Sequence, residues 1–260
     1  KIIHTDTDTE NIQARISLVA TDAAGNHLDL PAEVRAFLLA GLPHFTSAGD
    51  KAGPTPTCQL PSNPLHAGGA MRALLTALDA WVSEGVEPPA SRYPSAKDGT
   101  LVPAKDAGYE RLPGLLYQAE INEKPLVDHG KMPPVIVAQY PVSIAKVDGD
   151  FHAVAALRLP AIEAPVATYL GWNLRKTGFA EGAICGLTGS TIPLARTKAE
   201  REATKDPRPS LEERYPTHAA YVEAVKAAAD GLVRDRLLLP TDAARIVEEA
   251  EAADIGRPKS

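Results

Sequence analysis

The sequence lacks most of the features that would classify it at a glance. No stretch approaches the roughly 18 consecutive apolar residues of a membrane span. No basic run is present to grip a nucleic-acid backbone, which argues against that partner class. HExxH is absent and the histidines share no metal-ligand spacing, so no zinc site is expected. Only two cysteines occur, Cys58 and Cys185, far apart and without a CxxC. A disulfide and a pair of buried free thiols are both open on that evidence, and either is a better expectation than a cysteine nucleophile. The compartment therefore stays undecided, with a periplasmic or secreted setting slightly favoured over a cytoplasmic one. No signal peptide is visible, although a chain starting at Lys1 can be a processed one. No serine has glycine two positions before it, so these residues hold no G-x-S-x-G elbow.

What is present describes a chain able to bury a core. Its 260 residues allow one or two domains, and 44% are apolar. Net charge is −6, spread along the sequence. Prolines number 23, well above the usual ~5%, so much of the chain is expected to wrap over surfaces instead of pairing in long regular elements.

Residues 1–90 read as α/β. "KIIHT" is short, apolar and β-branched, a buried strand. "ENIQARISLVA" suits a short helix with Ile12, Ile16 and Val19 on one side, and Asp22 to Gly25 is turn chemistry. Glu33–Gly41 is a second strand, near-continuously apolar, as a parallel strand covered on both faces should be. Ala70–Ser83 is the clearest helix, with Leu74, Leu75, Leu78, Trp81 and Val82 at the helical period and Gly85 as its stop. Strand, helix, strand, helix is the order of an open parallel sheet.

"VEPPASRYP" marks a linker, and residues 91–200 read as a proline-rich β/irregular wrap. Asp148-Gly149 between apolar runs is its strongest hairpin signal. Residues 201–260 read as a helical tail. There Ser210 and Glu213 form a capping box, Thr217 caps a long helix, and a last helix follows Pro240. Arg175, Arg208 and Arg214 are expected to satisfy backbone carbonyls and to pair with Glu212 or Glu213. Trp172 is expected to lock a turn against the core.

The chemistry concentrates in "HTDTDTE", where Asp6, Asp8 and Glu10 follow the first strand on alternate residues. One reading is a polar loop opening a helix, with acids favoured by the dipole. A second is a calcium loop, which lacks the glycine and the distal glutamate that such a loop requires. The third is a catalytic acid at the carboxyl end of a sheet strand, where open α/β sheets place their chemistry. His44 favours the third, because it stands just beyond the second strand. An acid after one strand and a histidine after the next is the second half of the order Ser…Asp/Glu…His. In that chemistry the histidine takes the nucleophile's proton, and a carboxylate holds its tautomer and stabilises the imidazolium. His66, further along the same loop, is a distant alternative base, and Ser190 in "LTGSTIP" reads as a turn residue.

"RALLTALDAWVSEGVEPPASRYP", "ATYLGWNLR", "GSTIPLARTKAERE", "DPRPSLEERYP" and "RLLLPTDAARI" together resemble a bacterial family of α/β-hydrolase domain proteins regarded as esterases. The resemblance runs in the family's order over most of the chain. It implies Glu10 as the acid and His44 as the base, with Asp8 and Asp6 as alternatives. Asn11 and Ile12 after the acid, and Leu42 and Pro43 before the histidine, depart from the family's pattern. Since the serine precedes the acid in this order, it is expected upstream of Lys1, on an N-terminal half or a separate partner chain.

The fold expected is thus the C-terminal part of an α/β-hydrolase sheet, followed by the proline-rich segment and the helical tail. The function expected is that of the acid- and histidine-bearing chain of a serine hydrolase acting on a small carboxylic ester, without cofactor or metal. The alternative is a non-catalytic scaffold or binding subunit of a heteromeric assembly.

Overall fold

β1 (Ile2–Thr7) runs straight into α1 (Asp8–Gln13) without a loop. Both belong to a computed structural model describing all residues except 14–15, 47–50, 113, 116, 118–122 and 258–260. The helix expected from Glu10 therefore starts two residues earlier, and a separate short helix, α2 (Ser17–Ala20), follows it. The turn at Asp22 is closed by the Gly25 N–H donating to the Asp22 carbonyl at 3.0 Å. The chain then returns as β2 (Val34–Leu39), parallel to β1 in the register Ile2↔Val34 through Thr7↔Leu39. On the far side of β2, Arg92 pairs with Phe37 and Leu157 with Leu39, both parallel. β2 is thus flanked on both edges, and its last four residues are apolar and buried because Phe37 and Leu39 pack into one core cluster and Leu38 into another.

α3 (Gly68–Ser83) covers this sheet with Ala70, Ala73, Leu74, Ala77 and Trp81. Leu75 and Val82, expected on the same face, point outward instead. Alanines let the helix sit close to the strands, so the buried stripe runs through Ala70, Ala73 and Ala77 together with Leu74 and Trp81. Ala70 and Leu74 meet Phe37, Leu39 and Leu157 in one core cluster.

The middle of the chain carries β3 (Leu101–Pro103), the hairpin β4 (Pro125–Asp128) with β5 (Val135–Gln139), and β6 (Ser143–Ala145). β3 pairs antiparallel with β6, while β5 is exposed along its whole length. The hairpin expected at Asp148-Gly149 is reduced to a single bridge, Val147↔Ala153. The Asp148 carboxylate accepts the N–H groups of Asp150 (2.8 Å) and His152 (3.1 Å), which curls the chain instead of extending it. After α4 (Pro160–Glu163), β7 (Ala167–Leu170) pairs antiparallel with β8 (Ser190–Pro193). Ser190 therefore opens a strand and not a turn. Trp172 is buried as expected, edge-on to Tyr109 at 5.6 Å between ring centres.

The two cysteines are joined in a disulfide, the first of the two states their spacing left open. The loop leaving β2 pairs at Cys58 with Arg175, and Leu174 pairs with Ile184, which folds Cys185 back beside it. Such a contact between residues 127 apart arises only from tertiary pairing.

The tail forms α5 (Lys198–Thr204), α6 (Leu211–Arg214), α7 (His218–Arg234) and α8 (Pro240–Ala252). Ser210 and Glu213 form their capping box, and Thr217 accepts the Ala220 N–H at 3.1 Å. Arg214 pairs with Asp150, and Arg208 is buried against Asp206 and donates to Thr168 Oγ1 and the Ile192 carbonyl. Arg201 takes Glu213 at 2.8 Å instead.

His152 is buried, stacked on Tyr169, and its Nε2 accepts the Tyr169 N–H at 3.0 Å. Burial pushes its pKa down, against a smaller opposing pull from Asp148. A depressed imidazole pKa favours the unfolded state as protons bind. The associated stability is therefore complete above pH ~6.5 and is lost progressively as pH falls below it. The unfolding midpoint is expected to decline between about pH 7 and pH 5, and His152→Gln should flatten that slope, read by urea unfolding at each pH. Separately, reductant or the double change Cys58→Ser, Cys185→Ser should cost about 2–5 kcal/mol of stability. An unshifted urea midpoint would show that the cross-link does not form.

Candidate active site

The three carboxylates after β1 have three different fates. Asp6 still lies on the strand, where it meets His4 Nε2 and accepts the Tyr93 hydroxyl, each at 2.5 Å. Asp8 is buried and structural: it accepts the Gly171 N–H at 2.9 Å and the Asn11 side-chain amide at 3.0 Å. Burial raises its pKa, partly offset by those donors. Glu10 alone reaches His44, with Oε1 2.5 Å from Nδ1. The three do not converge on a common point, as a calcium cage would require.

Glu10 is positioned by the start of its own helix. Thr7-Asp8-Thr9-Glu10 reads T-x-x-E, the signature of a capping box. Thr7 donates to Glu10 Oε2 through its N–H (2.7 Å) and its hydroxyl (2.5 Å), and accepts the Thr9 N–H at 3.3 Å. One oxygen of the carboxylate is thus fixed to the backbone and the other is left for the imidazole. Burial works to raise the Glu10 pKa, but the Thr7 donors and His44 outweigh it, so the carboxyl is held below its ordinary value. It is ionised at neutral pH.

His44 is held at its backbone as well as its ring. Its N–H donates to Thr9 Oγ1 at 2.9 Å, and that hydroxyl donates to the Gly171 carbonyl. With Nδ1 facing a carboxylate, the ring proton sits there and the Nε2 lone pair is free. The ring is 45% exposed, edge-on to Phe45, and among the described residues no hydroxyl or thiol is bonded to Nε2. An imidazole fixed by an ionised carboxylate on one nitrogen and open on the other is competent as a general base.

Other sequence candidates lie elsewhere. His66 has no carboxylate partner among the described residues; its Nδ1 accepts the Gly68 N–H at 3.2 Å at the start of α3. Ser190 is fully buried, its hydroxyl donated to the Trp172 carbonyl at 2.7 Å. Both cysteines are consumed in the disulfide. Thr7 and Thr9 stand outside the residues expected from the sequence, although T-x-x-E was a signal for Thr7. Gly171 has no local signal at all, since its role depends on a contact across 163 residues.

Gly171 passes so close under α1 that a Cβ there would lie 2.2 Å from the Thr9 nitrogen and 2.7 Å from the Leu42 carbonyl oxygen. Both are backbone atoms and cannot swing aside. Gly171→Ala is expected to cost about 1–3 kcal/mol or more and to displace α1, measurable as a lowered unfolding midpoint. A midpoint equal to wild type would refute the close packing.

The model of a family described as alpha/beta hydrolase domain matches residues 1–248. No curated protein and no solved structure matches the chain.

Proposed function

The chain belongs to the alpha/beta hydrolase domain family, and we propose that within it Glu10 and His44 are the acid and base of a serine hydrolase acting on carboxylic esters. The carrying observation is the 2.5 Å contact between Glu10 Oε1 and His44 Nδ1, with Nε2 left open to the outside. The nucleophile is a serine outside these residues, on an upstream segment or a partner chain. Two features support that part of the reading. The sequence has no G-x-S-x-G, and β1 pairs only with β2 among the described residues, leaving its other edge free for a further strand.

In the reaction, the serine hydroxyl attacks the acyl carbon while His44 Nε2 takes its proton. The imidazolium so formed is stabilised by the Glu10 carboxylate, which stays ionised. His44 then gives the proton to the leaving alkoxide, and the alcohol departs from an acyl-enzyme. Water, deprotonated by the same nitrogen, attacks that acyl group, and the acid is released as the serine recovers its proton. The disulfide fits an oxidising setting such as the periplasm or the exterior.

His44→Ala is expected to lower kcat/KM for a simple aryl ester about ten-thousand-fold with little change in unfolding midpoint. Turnover near the wild-type rate would rule the assignment out. A fluorophosphonate probe on the native protein should label a serine outside these residues, located by peptide mass spectrometry. No label on an intact, folded assembly would favour the non-catalytic scaffold.

A further inference from the structure

α3 buries one face against the sheet and leaves a second apolar face open. The buried face is Ala70, Ala73, Leu74, Ala77 and Trp81. At about 100° per residue, Met71, Leu75, Leu78 and Val82 fall together within an arc of about 60° on the flank of the helix. Met71, Leu75 and Val82 are 44%, 68% and 62% exposed, and Leu78 is half-buried. A surface helix ordinarily turns polar residues to water. Here the steps of four, three and four residues are those of a seam between two helices, where side chains of each fill the gaps of the other.

The seam is symmetric about its own middle. A two-fold axis crossing the helix between Leu75 and Leu78 sets Leu75 of each copy against Leu78 of the other, and Met71 against Val82, with the helices antiparallel. The charges beside the seam match this arrangement. Arg72 and Asp79 lie on the same side of the stripe, seven residues apart. Such an axis keeps that side common to both copies. Each Arg72 then stands across from the other copy's Asp79, offset by about 3 Å along the helix. In a parallel pair the two charged rims would lie on opposite sides and stay apart. Arg72 gives Nε and Nη2 to Asp242, which leaves its Nη1 protons for a second carboxylate. Asp79 is exposed and has no ion-pair partner among the described residues.

We propose that a second copy of this chain occupies the α3 stripe as a two-fold, antiparallel helix pair. The apolar seam supplies the affinity, and the exposed Arg72 and Asp79 pairs set its direction and register. The proposal is independent of the hydrolase reading, since neither Glu10 nor His44 takes part in the contact.

Sedimentation equilibrium of the native protein should find two copies of this chain per particle. Three turns of helix, about 16 Å long, make a small interface, so a dissociation constant in the micromolar range is expected. Leu75→Glu should raise it at least about a hundredfold with an unchanged circular dichroism spectrum, because it sets carboxylates into the seam. Val82→Glu serves in its place if that spectrum alters. Asp79→Lys should raise the constant about fivefold by facing Arg72 with a like charge. With Leu75 replaced by photo-reactive benzoylphenylalanine, in a mixture of isotope-labelled and unlabelled chains, an adduct should form between the α3 peptides of differently labelled copies. A single copy per particle at about 100 μM overturns the proposal, and so does an adduct only with a polypeptide outside residues 1–260. A dimer whose constant is unmoved by both glutamate variants also overturns it, because the copies then meet elsewhere.

Discussion

One carboxylate is shared between a helix start and an imidazole, and the geometry of the site depends on that sharing. Glu10 Oε2 takes the two donors of Thr7, which fixes the side chain as part of the helix cap. Oε1 is then presented to His44 Nδ1 in a direction the backbone has already determined. A free glutamate on a loop would lose rotamer freedom when it met the histidine; here the cap has already removed it. The same donors keep the group ionised against the pull of burial, so the local fold sets both the position and the charge of the acid.

A second layer holds this pair against the rest of the molecule. Asp8 and Thr9 precede Glu10 in sequence and both bond to Gly171, one to its N–H and one to its carbonyl. Thr9 also receives the backbone N–H of His44. Gly171 is therefore the common anchor of the Glu10 helix and the His44 loop, and only a residue without a Cβ allows that approach. It also explains why a carboxylate as buried as Asp8 is tolerated away from the reacting groups, since its oxygens are satisfied by an amide and a backbone N–H.

The parts of this arrangement that were legible in the sequence were the local ones. β1, β2 and α3 follow from short apolar runs and a helical period, and Ser210, Glu213 and Thr217 announce the tail helices by their caps. Glu10 and His44 were legible as an acid and a histidine past successive strands. Illegible was which of three alternating carboxylates turns toward the histidine, because that depends on α1 starting at Asp8 and rotating each side chain by about 100°. The T-x-x-E spacing carried that information in a stretch that reads equally well as a polar loop. The disulfide and the Gly171 crossing join residues more than a hundred positions apart, so no local pattern encodes them. The Asp148-Gly149 stretch misled for the opposite reason: the aspartate side chain competes for the very N–H groups that a ladder would need.

The hairpin β4–β5 has its strand β5 open to solvent throughout and Met132 at its tip almost wholly exposed. It lies between Cys58 and Cys185 in the chain. A peptidase that cut at this tip would therefore produce two polypeptides that do not separate. The N-terminal piece, with Glu10 and His44, would stay covalently fastened to the piece bearing Gly171 and the tail helices. In its oxidised form the molecule can be nicked at this exposed ribbon and still hold Gly171 on the same covalent assembly as Glu10 and His44.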